Sequence, residues 1–257
     1  MDEDTWAQTY YVYDEIGMLR YVLPPEASSQ ITTMGLTPTS PLVQQYCYYY
    51  RYDGRKRLVE KQLPGSEPVY LVYDGRDRLV LTQDGNLRVG QSGYPAHSWQ
   101  FTKYDQLNRP VLTGVYQPTG APNRAALQAR VDLFYASASV GENPTRAYGE
   151  EDGDAVLGYT NRSFPAVPDE AAYLTATYYD RYPATVSGLG YSARELAGEE
   201  MPSASERTRG EKTAQTIRVL SMETGATPRW LSTKYYYDQR GRLLQEVAQA
   251  AIGSTHG

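Results

Sequence analysis

Tyr49-Tyr50-Arg51-Tyr52-Asp53-Gly54-Arg55-Lys56-Arg57-Leu58-Val59-Glu60-Lys61 is the stretch on which the fold turns. An aromatic run ends in Tyr-Asp, a glycine and basic residues follow, and an apolar pair resumes at Leu58-Val59. Aromatic and β-branched residues favour strands. An Asp at a turn entrance accepts a hydrogen bond from the backbone N–H two residues on. The stretch therefore reads as strand, tight turn, strand.

The same unit returns along the chain. Tyr13-Asp14, Tyr52-Asp53, Tyr73-Asp74, Tyr104-Asp105 and Tyr237-Asp238 are clear copies, and Tyr179-Asp180 is a degraded one. Strand-forming pairs precede the Tyr, as in Tyr11-Val12, Leu71-Val72 and Tyr235-Tyr236. An apolar residue follows the Asp at a fixed offset (Leu19, Leu58, Leu79, Pro110, Leu243). Just before it stands Arg57, Arg78, Arg109 or Arg242, with Met18 as the exception. Three positions after the Asp, Gly17, Asn108 and Gly241 tolerate φ > 0, as a type I turn followed by a left-handed bulge residue requires. The second and third copies carry Lys56 and Asp77 there, with Gly54 and Gly75 directly after the Asp, and are expected to turn differently. The Arg is expected across the turn from the Asp as a semi-exposed pair of little value by itself. The predicted structural signature is Tyr13, Asp14, Gly17, Tyr52, Asp53, Arg57, Tyr73, Asp74, Arg78, Tyr104, Asp105, Arg109, Tyr237, Asp238, Gly241 and Arg242.

Tyr-Asp, two variable residues, Gly or Asn, Arg, Leu resembles the YD repeat of RHS proteins. Relatives of that family include the cocoon-forming parts of insecticidal toxin complexes and the extracellular shell of teneurins. The string Tyr49–Lys61 is similar to RHS proteins of the Bacteroidetes, and so is the later segment Ile217–Leu220, Trp230–Thr233 and Tyr235–Asp238. The resemblance covers residues 10–115 and 175–248 well and the middle poorly. It implies an architectural role, in which complete shells enclose a C-terminal effector. Two features depart from the pattern. The copies are unequally spaced, and no Asp-Pro occurs, so the self-cleaving core that follows the repeats in some members is missing. The chain is accordingly expected to be a piece of a larger exported polypeptide, extracellular or at the cell surface. No leader is visible at Met1-Asp2-Glu3-Asp4.

The expected fold is mainly β: consecutive YD-repeat hairpins in an extended, curled antiparallel sheet with one inserted α-helix. Residues 1–115 form the first hairpins. Residues 116–176 hold the inserted helix and loops, and residues 177–257 hold the degenerate and final hairpins. Leu127, Val131 and Phe134 fall at helical spacing, which predicts a helix over 124–137 capped by Asn123. Residues 141–154 and 187–212 read as loops. Residues 213–221 and 230–237 read as strands joined through Thr224-Gly225.

Composition excludes several functions. With 25 basic against 30 acidic residues, the formal charge of −5 leaves no positive excess for nucleic acid or an anionic membrane. Mean hydropathy is −0.59, and no apolar run approaches the roughly 20 residues of a membrane-spanning helix. The chain holds 25 tyrosines beside three phenylalanines, so its β surface is built from rings whose polar tips need water or a partner.

Candidate chemistry is sparse, and no catalytic residue, cofactor or metal site is predicted. Cys47 and His97 are conceivable as nucleophile and base, but Cys47 reads as a buried structural thiol inside a Tyr-rich strand. Glu150-Glu151-Asp152-Gly153-Asp154 lacks the alternating ligands of a calcium loop and reads as a solvated turn. Asn161-Arg162-Ser163 fits a glycosylation sequon. Tyr46, Tyr48, Tyr50 and Tyr52 are expected on one strand face, with Cys47, Tyr49 and Arg51 on the other. Cross-strand packing is favoured over a sugar platform for these rings. The expected function is thus structural and non-enzymatic, with other repeats of the same polypeptide as partners and an enclosed effector as a further one. The alternative is a carbohydrate- or protein-binding module of the cell surface, with a surface glycan among its ligands. The strand Thr233–Tyr237 is expected at a sheet edge, where it would support weak self-association.

Overall fold

The computed structural model describes residues 7–30, 37–91, 93–136, 155–196, 199–220 and 229–249. In chain order these contain β1 (Tyr10–Tyr13), β2 (Leu19–Leu23), α1 (Pro25–Gln30), α2 (Pro41–Tyr46), β3 (Tyr48–Tyr52), β4 (Leu58–Gln62), β5 (Val69–Tyr73) and β6 (Leu79–Gln83). There follow α3 (Gly85–Val89), β7 (Trp99–Tyr104), β8 (Pro110–Tyr116), α4 (Arg124–Ala136), β9 (Ala155–Val156), β10 (Tyr159–Thr160) and β11 (Tyr173–Asp180). The chain ends with β12 (Glu195–Leu196), β13 (Glu199–Glu200), β14 (Thr208–Val219), β15 (Arg229–Tyr237) and β16 (Leu243–Ala248). The protein is mainly β. Its 12-stranded sheet runs β1-β2-β3-β4-β5-β6-β7-β8-β11-β14-β15-β16, with β1 and β16 as edge strands. Chain order and sheet order nearly coincide, as short hairpin connections demand.

Contacts group the chain into two units, Met1–Gln100 with Gln117–Ala136, and Phe101–Tyr116 with Ser137–Gly257. In the first, α4 packs on β5 through Leu127 and Val131, both fully buried. Asn123 caps the helix by accepting the Ala126 N–H at 2.9 Å. Gln128 then fastens the helix to the strand. Its Oε1 accepts the Tyr73 N–H at 3.1 Å, and its Nε2 donates to the Tyr73 carbonyl at 2.6 Å.

The first unit corrects two expectations. Four helices, not one, occur among the described residues. Those missed have six, six and five residues, too short for apolar periodicity to reveal them. Tyr46 therefore closes α2 and does not lie on a strand face. Cys47 is that helix's C-cap, with its N–H on the Val43 carbonyl. It is buried with Ala27 and Val43 against Tyr21, Leu23 and Tyr46.

In the second unit, β8 approaches its neighbours closely at Gly114, where an added Cβ would stand 2.4 Å from both the Phe101 ring and the Ala172 carbonyl. Phe101 meets Tyr173 edge-on, ring centres 5.2 Å apart. β14 begins at Thr208, so residues 208–212 are strand and not loop. Register shifts around Tyr179 let the end of β11 pair with them. Arg209, Gly210 and Glu211 hide this strand from a hydrophobicity reading, since none of them is apolar and Arg209 and Gly210 are exposed. Nor is β15 an edge: it lies between β14 and β16, because Leu243–Ala248 supplies one more strand. The Thr224-Gly225 connection and the acidic run 150–154 lie outside the described residues.

Candidate functional site

All five clear copies build one turn. The Asp N–H donates to the carbonyl four residues on, and its own carbonyl accepts the N–H three residues on (Asp53 with Arg57 and Lys56, Asp74 with Arg78 and Asp77). The same pairs close the turns at Asp14, Asp105 and Asp238. The side chain completes the frame. Oδ1 of Asp74 accepts the N–H groups of Arg76 at 2.9 Å and Arg78 at 3.0 Å, and every other copy repeats this pair.

The residue three positions after the Asp is left-handed in every copy: Gly17, Lys56, Asp77, Asn108 and Gly241 have φ of 80°, 61°, 61°, 61° and 77°. The expectation that the second and third copies turn differently is thus corrected. Gly54 and Gly75 are not among the residues of positive φ, and Lys56 and Asp77 take the strained place themselves. A left-handed non-glycine costs about 1–2 kcal/mol, which the hydrogen-bonded frame absorbs.

In three copies the Asp–Arg pair is more buried than the semi-exposed contact expected, while Arg242 in the last copy stays largely exposed. Asp74 Oδ2 takes Arg78 Nε at 2.6 Å with side chains only 2% and 8% exposed. Arg57, Arg109 and Arg242 reach their own Asp at 2.8, 2.7 and 2.6 Å. For Asp53, burial alone would raise the carboxyl, but hydrogen bonds from the Arg57 side chain and from the Arg57 and Arg55 backbone hold it below its ordinary value. Asp238 is lowered in the same direction, first by the Arg242 N–H.

Arg57 and Arg109 also reach forward to the next copy. Glu60 pairs with Tyr70 and Lys61 with Val69, a register that carries Arg57 opposite Tyr73. There Arg57 lies 4.9 Å over the Tyr73 ring and donates to the Asp74 carbonyl at 3.2 Å and to Asp77 Oδ1 at 3.0 Å. Arg55 joins from beside it with Asp77 Oδ2 at 2.8 Å. In return the Tyr73 hydroxyl donates to the Leu58 carbonyl at 2.7 Å. The β8–β11 register likewise carries Arg109 opposite Tyr179, with the guanidinium 4.3 Å over the ring. In the β2–β3 register Met18 stands opposite Tyr52, without a charge to share.

The degraded copy keeps its place at a strand end but has lost its own hairpin turn. Asp180 is itself left-handed, at φ 68°. Its carboxylate accepts Arg109 through two parallel bonds, 3.1 and 2.6 Å, and the Gly210 N–H at 2.7 Å. The Arg109 hydrogen bond comes first among the causes that hold Asp180 below its ordinary value, against burial. The same bond leads the causes that raise Arg109. Beside it opens a groove of about 1070 Å³, lined by Arg109, Tyr159, Asp180, Arg207 and Arg209 among others.

Other candidates are structural in their surroundings. Tyr49 packs on its cross-strand partner Tyr21 at 5.1 Å. Cys47 is buried while His97 is exposed, and burial raises the thiol above its ordinary value. No group of three or more His, Cys, Asp or Glu residues that could hold a metal occurs among the described residues. Sequence reasoning missed Lys103. The residue is 1% exposed, and its Nζ donates to Asn161 Oδ1 at 2.7 Å and to the Tyr173 hydroxyl at 3.2 Å, both neutral. Burial lowers its pKa to about 7. Alternation along β7 places Phe101 and Lys103 on one inward face, a signal available in Trp99-Gln100-Phe101-Thr102-Lys103.

No family model matches the sequence. No curated protein matches it. Among solved structures it is similar to a crystal structure of TcdB2-TccC3-Cdc42, at 11% identity and a TM-score of 0.31, over 96% of this chain and 11% of that one. It is similar also to the Photorhabdus luminescens Tc holotoxin pore, at 11% identity and a TM-score of 0.31, over 94% of this chain and 10% of that one. The chain thus spans about a tenth of the length of those chains.

Proposed function

We propose that this chain is a structural, non-catalytic repeat segment of an RHS/YD-type shell or cell-surface protein. One observation carries the reading: the signature arginine of a copy is engaged at once by its own Asp and by the Tyr of the next copy. Side chains held on both sides in this way serve cohesion along the sheet. The signature residues from Tyr13 to Arg242 are accordingly read as turn-and-stacking residues, and the partners as neighbouring repeats of one longer exported polypeptide. Enclosure of a C-terminal effector belongs to that whole polypeptide.

The groove beside Arg109 favours a second reading, a surface module that binds a glycan or a protein segment through Tyr159, Arg207 and Arg209. A glycan array together with thermal melts of Tyr73→Ala and Arg207→Ala separates the two. The structural reading expects no glycan signal and a clear loss of melting temperature for Tyr73→Ala. Saturable glycan binding abolished by Arg207→Ala at unchanged melting temperature would replace it with the second.

A further inference from the structure

Lys103 takes no part in the copy-to-copy junctions, yet it is less exposed than any other acidic or basic residue among those described. Its Nζ sits in an aromatic corner, 5.7 Å from the Phe101 ring centre and 5.5 Å from that of Tyr173. Its hydrogen bonds go to two neutral groups, Asn161 just after β10 and Tyr173 at the start of β11. Burial favours the neutral amine, which is the nucleophilic form of lysine.

That amine stands against an electrophile. With Nζ 2.7 Å from Asn161 Oδ1, the amide carbon is at most about 3.9 Å away, since the C=O bond adds about 1.2 Å. A near-attack contact is about 3–3.5 Å, so a small swing of the side chain reaches it. The Tyr173 hydroxyl lies 3.1 Å from the same oxygen, and burial raises its pKa, which keeps it a proton donor. Its proton also has the Val167 carbonyl as a partner at 2.9 Å, and turns to Asn161 as negative charge builds on Oδ1.

We propose that Lys103 and Asn161 close an intramolecular isopeptide bond, with the Tyr173 hydroxyl as hydrogen-bond donor to the developing oxyanion. The Nζ lone pair forms a bond to Asn161 Cγ, the Cγ–Nδ2 bond breaks, and one amine proton passes to the departing nitrogen, which leaves as ammonia. The balance needs no oxidant and no co-reactant. Asn161 is only half-buried, which gives ammonia a way out. The bond joins positions 58 apart in the chain and ties β7 to the segment behind β10. It constrains the unfolded chain as a disulfide would, in a sequence whose one cysteine can form no internal disulfide. An amide is a poor electrophile, so closure is slow, and the freshly folded chain still carries the free, titrating amine.

Intact-mass spectrometry of the folded chain tests it, before and after incubation for days at about pH 8.5, where the amine is neutral. The wild type should lose about 17 Da, one ammonia, and proteolysis should release a branched peptide that joins Lys103 to Asn161. Lys103→Met and Asn161→Ala should keep their full mass. Tyr173→Phe, which retains the ring, should slow closure at least about tenfold. An unchanged wild-type mass after the incubation would overturn the bond. The same loss in Lys103→Met would overturn it too, because that ammonia would come from a succinimide at an asparagine.

Discussion

Arg109 and Asp180 stand 71 positions apart in the chain and meet in two parallel hydrogen bonds of 3.1 and 2.6 Å. The arginine is simultaneously held by Asp105 and lies over the Tyr179 ring. A turn-local pair has become a long-range tie, and the next signature Tyr-Asp has given up its own turn to receive it.

Asp180→Asn should therefore destabilise the second unit. The loss expected is about 1–2 kcal/mol, at the low end for a charged hydrogen bond because the Asp180 side chain is 36% exposed and water screens it. Its folded pKa is lowered, so this contribution is present above the unfolded carboxylate range and disappears as pH falls through the folded value. Urea melts at pH 7 and in mild acid should show the gap between wild type and variant closing as the pH falls.

Lys56→Gly should stabilise the protein. Lys56 is exposed and left-handed at φ 61°, and glycine takes that conformation without strain. A gain of about 0.5–1 kcal/mol is expected, part of the strain relief being offset by the added freedom of the unfolded chain. Asp77→Gly relieves the same strain but forfeits bonds to Arg55 and Arg57, so it should gain nothing or lose stability. Comparing the two denaturation midpoints checks both.

How far the chain could be read follows from the range of each interaction. The Asp14 and Asp53 turns are legible because their hydrogen bonds span at most four residues. The left-handed Lys56 was not, since its strain is borne by a frame that residue preference does not report. Sequence ties Arg57 to its own Asp but not to Tyr73, because that contact needs the register between separate hairpins. Sequence spacing alone could not supply it. The place of Cys47 at a helix end is illegible for a similar reason: a helix of six residues gives no periodicity, and the tyrosines after it read as strand.

Lys103→Met should flatten a pH dependence. The folded pKa of Lys103 is lowered to about 7 from an ordinary 10.5, so the unfolded chain holds a proton that the native state disfavours. Stability should rise with pH between about 7 and 9, with the penalty fully present below the folded value and relieved toward the unfolded one. Replacing the amine with a thioether of similar length removes the titrating group and with it that slope, although the bonds to Asn161 and Tyr173 are lost as well. Isothermal denaturation at pH 7, 8 and 9 measures it. An unchanged slope in the variant would assign the pH dependence to other groups.

The most direct test of cohesion between copies is a double-mutant cycle on Arg57 and Tyr73, which belong to successive repeats. Stability would be measured by chemical denaturation for wild type, Arg57→Ala, Tyr73→Ala and the double variant. A half-buried cation over an aromatic ring is worth about 1–2 kcal/mol, so the two losses should fall short of additivity by that amount. Losses that add to within about 0.3–0.5 kcal/mol would mean that the copies merely sit side by side, and would contradict the account.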